Sequence, residues 1–233
     1  MSLISDNLTT LRTRLATTCL ESGRAPESVR LLAVSKNFGA ESVRAAMAAG
    51  QTEFGENYVQ EALEKIAALA GSGAVWHFIG PIQSNKTRDI AEHFDWVQSV
   101  DRLKIAQRLS EQRLDHLPPL NVCVQVNISG EASKSGCTPT EAPALCRAIT
   151  ALPRLKLRGL MAIPAPVVGM SNPHAPFRAL RELFEKIRQS SIESATEFDT
   201  LSAGMTDDFP VAINEGSTMV RIGTAIFGSR KSQ

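Results

Sequence analysis

Arg30-Leu31-Leu32-Ala33-Val34-Ser35-Lys36 is an apolar run of strand length that ends on a lysine. Little alternation along the run reads as a strand covered on both faces, the habit of parallel sheets. A lysine with an apolar stem behind it, where a strand runs out, is badly placed for ordinary surface solvation. It is well placed to become an unprotonated amine that attacks a carbonyl. Near the other end, Met219-Val220-Arg221-Ile222-Gly223-Thr224-Ala225-Ile226-Phe227-Gly228 reads as a strand breaking into a small-residue turn. Backbone of that kind can approach and hold phosphate.

Between these ends, short β-branched runs alternate with helical stripes. Strands are expected at 30–36, 52–56, 75–80, 96–100, 121–128, 156–163, 200–203 and 219–222. An opening helix carries Leu8, Leu11, Leu15 and Cys19 on one face. Val59, Ala62, Leu63, Ile66 and Ala70 form a second stripe, and Phe177, Leu180, Phe184 and Ile187 a third. Gly50 and Gly71 stand where left-handed helix ends need a residue without Cβ. Eight such units predict an α/β fold, a single (β/α)8 TIM-type barrel with an additional N-terminal helix, as one domain over residues 1–233. An open doubly wound sheet fits the same alternation, but no G-x-G-x-x-G follows the first strand. Closure of the barrel would place the last strand beside the first. Lys36, Ser202, Gly223 and Thr224 would then share the C-terminal rim, where barrel active sites lie and where phosphate is often held after strands 7 and 8.

The chain has 233 residues, 43% of them apolar, enough for a sizeable core. Its net charge of +1 gives no strong pull toward nucleic acid or a membrane surface. Asp6, Arg12 and Arg14 interrupt the first twenty residues, and Pro164 and Pro166 the apolar stretch near 160–170, so neither reads as a leader or a membrane span. A cytoplasmic monomer is expected. Cys19, Cys123, Cys137 and Cys146 form no C-x-x-C pair and read as small buried hydrophobes. With His77, His93, His116 and His174 scattered, no metal site is expected.

Each rim residue has a plain reading and a chemical one. Lys36 is either a solvated strand-end lysine or a Schiff-base amine, whose reference pKa of ~10.4 must fall before it attacks an aldehyde. Burial and a nearby cation, with Arg221 the candidate, would lower it. Lys156 starts its strand, where stability is the expected role. Arg221 is either a buried ion-pair partner or a donor to a ring nitrogen, carboxylate or phosphate. Gly223-Thr224 is either a plain turn or, with Ser202, a phosphate cradle. Thr206 reads as a helix cap with Asp207 and Asp208 facing outward. Asn57 reads as the cap of the helix after strand 2, beside Lys36. His77 reads as a packed interior histidine, with a site-lining role as the alternative. Ser84-Asn85-Lys86 and Ser133-Lys134-Ser135-Gly136 read as solvated loops that could line the rim.

Five segments, Ala33-Val34-Ser35-Lys36, Phe54-Gly55-Glu56-Asn57-Tyr58-Val59-Gln60-Glu61, His77-Phe78-Ile79-Gly80, Gln83-Ser84-Asn85-Lys86 and Val220 to Gly228, closely resemble the YggS-like pyridoxal phosphate homeostasis proteins, relatives of the alanine racemase N-terminal barrel. The resemblance implies pyridoxal 5′-phosphate held as an aldimine on Lys36. It further implies phosphate contacts from Ser202, Gly223 and Thr224, Arg221 at the pyridine nitrogen, and Asn57 near the ring. Phe38 stands where the family often has a second lysine, and Ala203 and Thr206 replace its usual Met and Ser. The function implied is control of the free cofactor level, with pyridoxal-phosphate-dependent apoenzymes as possible recipients and little or no catalysis. An amino-acid racemase and a Schiff-base aldolase on a phosphorylated sugar are the alternatives.

Overall fold

The structure is a computed structural model and describes residues 3–131, 134–165, 171–190 and 197–228. Apolar runs that cannot face water on either side are solved here by ring closure. Strands β1 (Arg30–Val34), β2 (Glu53–Glu56), β3 (Val75–Phe78), β4 (Trp96–Val100), β5 (Leu120–Gln125), β6 (Leu155–Met161), β7 (Thr200–Ser202) and β8 (Met219–Ile222) follow in chain order around a closed parallel barrel. The expected bounds of β4 and β8 hold, and the other strands are shifted or trimmed at their ends. A closed ring has no sheet edge to protect.

Around it lie α2 (Ala40–Ala48), α3 (Val59–Ala68), α4 (Thr87–His93), α5 (Leu103–Gln112), α6 (Ala142–Thr150), α7 (Ala175–Ser190) and α8 (Phe209–Asn214). The helix that follows β8, α9 (Thr224–Phe227), is only four residues long. The opening helix α1 (Leu3–Glu21) makes up the deficit by packing on α2, α8 and α9. Its buried stripe is Leu8, Leu11, Leu15 and Cys19, as the spacing predicts. Asn7 on α1 donates from Nδ2 to the Ile226 carbonyl at 2.9 Å, tying this helix to the last turn.

The stripe on α3 differs from expectation. Val59, Ala62, Lys65 and Leu69 are its buried positions, Leu63 and Ile66 are partly buried, and Ala70 is exposed. A lysine thus occupies a core position of that helix. The four cysteines are buried and unpaired. Burial pushes the Cys123, Cys137 and Cys146 thiols up to about 12, so they pack as inert hydrophobes. No described helix is long and apolar enough to cross a membrane.

Candidate cofactor site

The register of β1 builds the site. Its neighbours are β2 on one side, with Val34 opposite Gly55, and β8 on the other, with Ala33 opposite Ile222. Continuing those registers two residues past Val34 sets Lys36 level with Asn57. One residue past Ile222, Gly223 meets Val34. A Cβ on Gly223 would lie 3.0 Å from the Val34 carbonyl oxygen, so any other residue would have to push the turn after β8 and β1 slightly apart. Beyond the strands, the Phe38 ring stacks on Phe227 with centroids 5.1 Å apart. The residue in place of the family's second lysine is therefore a packing link between the β1 loop and α9. Lys36 itself is half-buried.

Asn57 is held by its neighbours. A Cβ on Gly80 would overlap the Asn57 carbonyl oxygen, at 2.3 Å, so glycine lets the loop after β3 close over it. The expected capping role is not taken: α3 begins at Val59, with Tyr58 as its N-cap and no side-chain cap bond. Instead the Asn57 Oδ1 is buried with no hydrogen-bond partner among the described residues. Asn57, Tyr58, Phe78 and Lys86 line one groove of about 370 Å³. Lys86, in a short 3₁₀ turn, is thus the member of the Ser84–Lys86 loop that reaches the Asn57 side.

Arg221 is 4% exposed and forms no ion pair among the described residues. Its Nη1 donates to Ser202 Oγ at 2.8 Å and its Nη2 to the Ala162 carbonyl at 2.8 Å. Burial pushes the guanidinium down to about 10, opposed by the charge on Asp208, so it stays cationic at neutral pH. A guanidinium can only donate, and this fixes every proton that follows. Ser202 accepts from Arg221 and donates to Gln98 Oε1 at 2.7 Å. Gln98 Nε2 then donates to His77 Nδ1 at 2.9 Å, leaving the His77 proton on Nε2, 3.3 Å from Glu53 Oε2. One directional chain of hydrogen bonds runs through the barrel from Arg221 on β8 to His77 on β3, with Glu53 at ion-pair distance beyond it.

These contacts sort the expected site residues. Lys36, Asn57, Arg221, Gly223 and Thr224 gather at the C-terminal ends of β1, β2 and β8. Ser202 is near them, but its hydroxyl is fully engaged with Gln98 and Arg221. His77 is the packed histidine of the plain reading. Its ring stacks on Trp96, the first residue of β4, at 5.1 Å, deep toward the N-terminal end rather than lining the rim. Thr206 does not cap a helix. Asp208 precedes α8 and turns inward, 4% exposed, accepting the Met205 amide at 2.5 Å, so only Asp207 faces outward. Lys156 pairs with Glu197 at 2.6 Å near the start of β6, the structural role expected of it. Lys134 pairs with Glu131, and Ser133 lies outside the described residues. No metal-binding group of His, Cys, Asp or Glu occurs among the described residues.

A closed eight-stranded barrel with a lysine ending β1 and a glycine turn ending β8 defines a class of protein. The family model described as alanine racemase, N-terminal domain, matches residues 7–231. Among curated proteins, the pyridoxal phosphate homeostasis protein of Pseudomonas aeruginosa is 59% identical, across 99% of this chain and 97% of its own length. That of Escherichia coli K12 is 50% identical, across 99% and 98%. PipY of Synechococcus elongatus, in a structure with pyridoxal phosphate bound, superposes with a TM-score of 0.80 at 36% identity, across 97% and 100%. The chain belongs to the pyridoxal phosphate homeostasis protein family, within the alanine racemase N-terminal fold.

Proposed function

We propose that this chain binds pyridoxal 5′-phosphate at the C-terminal rim and helps control its free level in the cytoplasm, with little or no catalysis. The observation that carries the reading is the contact of Gly223 with Val34. It brings a lysine-bearing strand end and a phosphate-suited turn to one place, in a chain whose relatives are named for this cofactor. Three further features suit the group. The Asn57 Oδ1 is buried and awaits a donor. Arg221 is a buried cation with N–H groups beyond those given to Ser202 and Ala162. Gly223 has no side chain to keep an anion from the backbone of the turn.

Bound pyridoxal phosphate supplies an electrophilic aldehyde and an electron-accepting ring. Lys36 would hold the group through its amine. Gly223 and Thr224 take the phosphate. Ser202, its hydroxyl shared between Gln98 and Arg221, serves by bracing Arg221. A permanent cation that donates to the pyridine nitrogen disfavours a proton there and restrains carbanion chemistry. Racemase chemistry also needs acid and base groups on opposite substrate faces. Tyr58, the one tyrosine, is 58% exposed, which suits a carrier better than a racemase. Large exposed hydrophobics such as Leu3, Leu20 and Leu114 are scattered, in keeping with a monomer. Dependent apoenzymes are the recipients this reading supplies.

The test is deuterium wash-in at the α-carbon of alanine and serine, with the cofactor-loaded protein. Retained cofactor without sustained exchange is expected. Steady exchange over many turnovers would make the protein a racemase instead.

A further inference from the structure

Helix α3 carries a charged cluster that the proposed chemistry does not use. Lys65 is 4% exposed, and its three N–H bonds are fully placed. They go to the Ser35 carbonyl at 2.8 Å, to Glu56 Oε1 at 2.8 Å and to Glu61 Oε1 at 2.6 Å. Glu56 is fully buried and also accepts the Ser35 hydroxyl at 2.6 Å. Glu61 accepts the Asn37 amide at 2.6 Å. Ser35 and Asn37 are the residues on either side of Lys36. Asn37 has φ of 65°, in the left-handed region that asparagine enters more readily than most residues with a Cβ.

An exposed Glu-Lys pair one helical turn apart would need no explanation. The buried pair of Lys65 with Glu56 on β2 does, because desolvating two charges offsets much of their attraction, and apolar residues of similar size often serve stability as well or better. Two of the bonds made here, to the Ser35 carbonyl and from the Asn37 amide, hold the two peptide units that flank Lys36 and set the direction of its side chain. We propose that Lys65 is a positioning residue for Lys36, fixing Ser35 directly and Asn37 through Glu61, so that the amine is aimed before any ligand arrives. The inference rests on the reading of Lys36 as the cofactor lysine.

Two substitutions in the full chain test it. Lys65→Met removes the ammonium, and Glu61→Ala removes the acceptor of Asn37 from a partly exposed position while Glu56 still pairs with Lys65. Amide hydrogen exchange is measured first, without cofactor. Both variants should lose protection at Asn37 by about tenfold or more while β4 and β5 amides are unchanged. Covalent attachment of pyridoxal phosphate to Lys36, followed by absorbance, should slow by about tenfold or more in both. Wild-type protection and wild-type attachment in Glu61→Ala would overturn the proposal, even if Lys65→Met failed to fold. If the unaltered protein took up no pyridoxal phosphate, the functional reading would fall. Exchange at Asn37 would still decide whether the cluster fixes the loop.

Discussion

The carbonyl oxygen of Val34 stands 3.0 Å from the place a Cβ of Gly223 would occupy. Two residues past the end of β1 comes Lys36, and the residue after Gly223 is Thr224, the first of α9. Chain segments nearly two hundred residues apart are thereby pressed together, too close for a Cβ to enter without a shift.

Gly223→Val should cost about 1–3 kcal/mol in denaturant unfolding, because the new methyls meet backbone that cannot swing aside. It should also weaken pyridoxal phosphate binding more than a matched change far from the rim. Wild-type stability and affinity together would mean that the contact is loose.

Ser202→Ala should break the chain that runs from Arg221 through Gln98 to His77. Gln98 Oε1 loses its donor and one Arg221 N–H its acceptor, both in the interior. A loss of about 1–3 kcal/mol is expected by chemical denaturation. If the hydroxyl binds phosphate instead of bracing Arg221, stability should hardly move while affinity for phosphate itself falls.

His77 should make stability pH-dependent. Burial holds its pKa below the ordinary value, so the folded protein keeps it neutral. As pH falls below about 6.5, the unfolded chain takes up a proton that the folded chain refuses, and stability drops. The slope should approach 1.4 kcal/mol per pH unit, roughly, and His77→Gln should remove that part of it between about pH 5 and 7. Identical profiles for the two proteins would mean that His77 takes up its proton as readily in the fold as in the unfolded chain.

The barrel was legible because its strands are apolar runs of the right length, and because a lysine and a glycine turn fell at strand ends. β1 stops at Val34, two residues short of expectation, since ladder pairing ends before the apolar run does. The outward placement of Asp208 failed because the Met205 amide offered its carboxylate a hydrogen-bond donor that spacing does not reveal. Asn57 looked like a cap, but the helix starts one residue too late for it. Lys65 was missed through the stripe assigned to α3. A charged residue in register with Val59, Ala62 and Leu69 was the signal for a buried ammonium.

Borohydride reduction of the purified protein loaded with pyridoxal phosphate, followed by peptide mapping, measures the central claim directly. A single pyridoxyl group on Lys36, absent from Lys36→Ala, is the expected result. A pyridoxyl group on Lys65, Lys86 or any other lysine, or none at all, would contradict it.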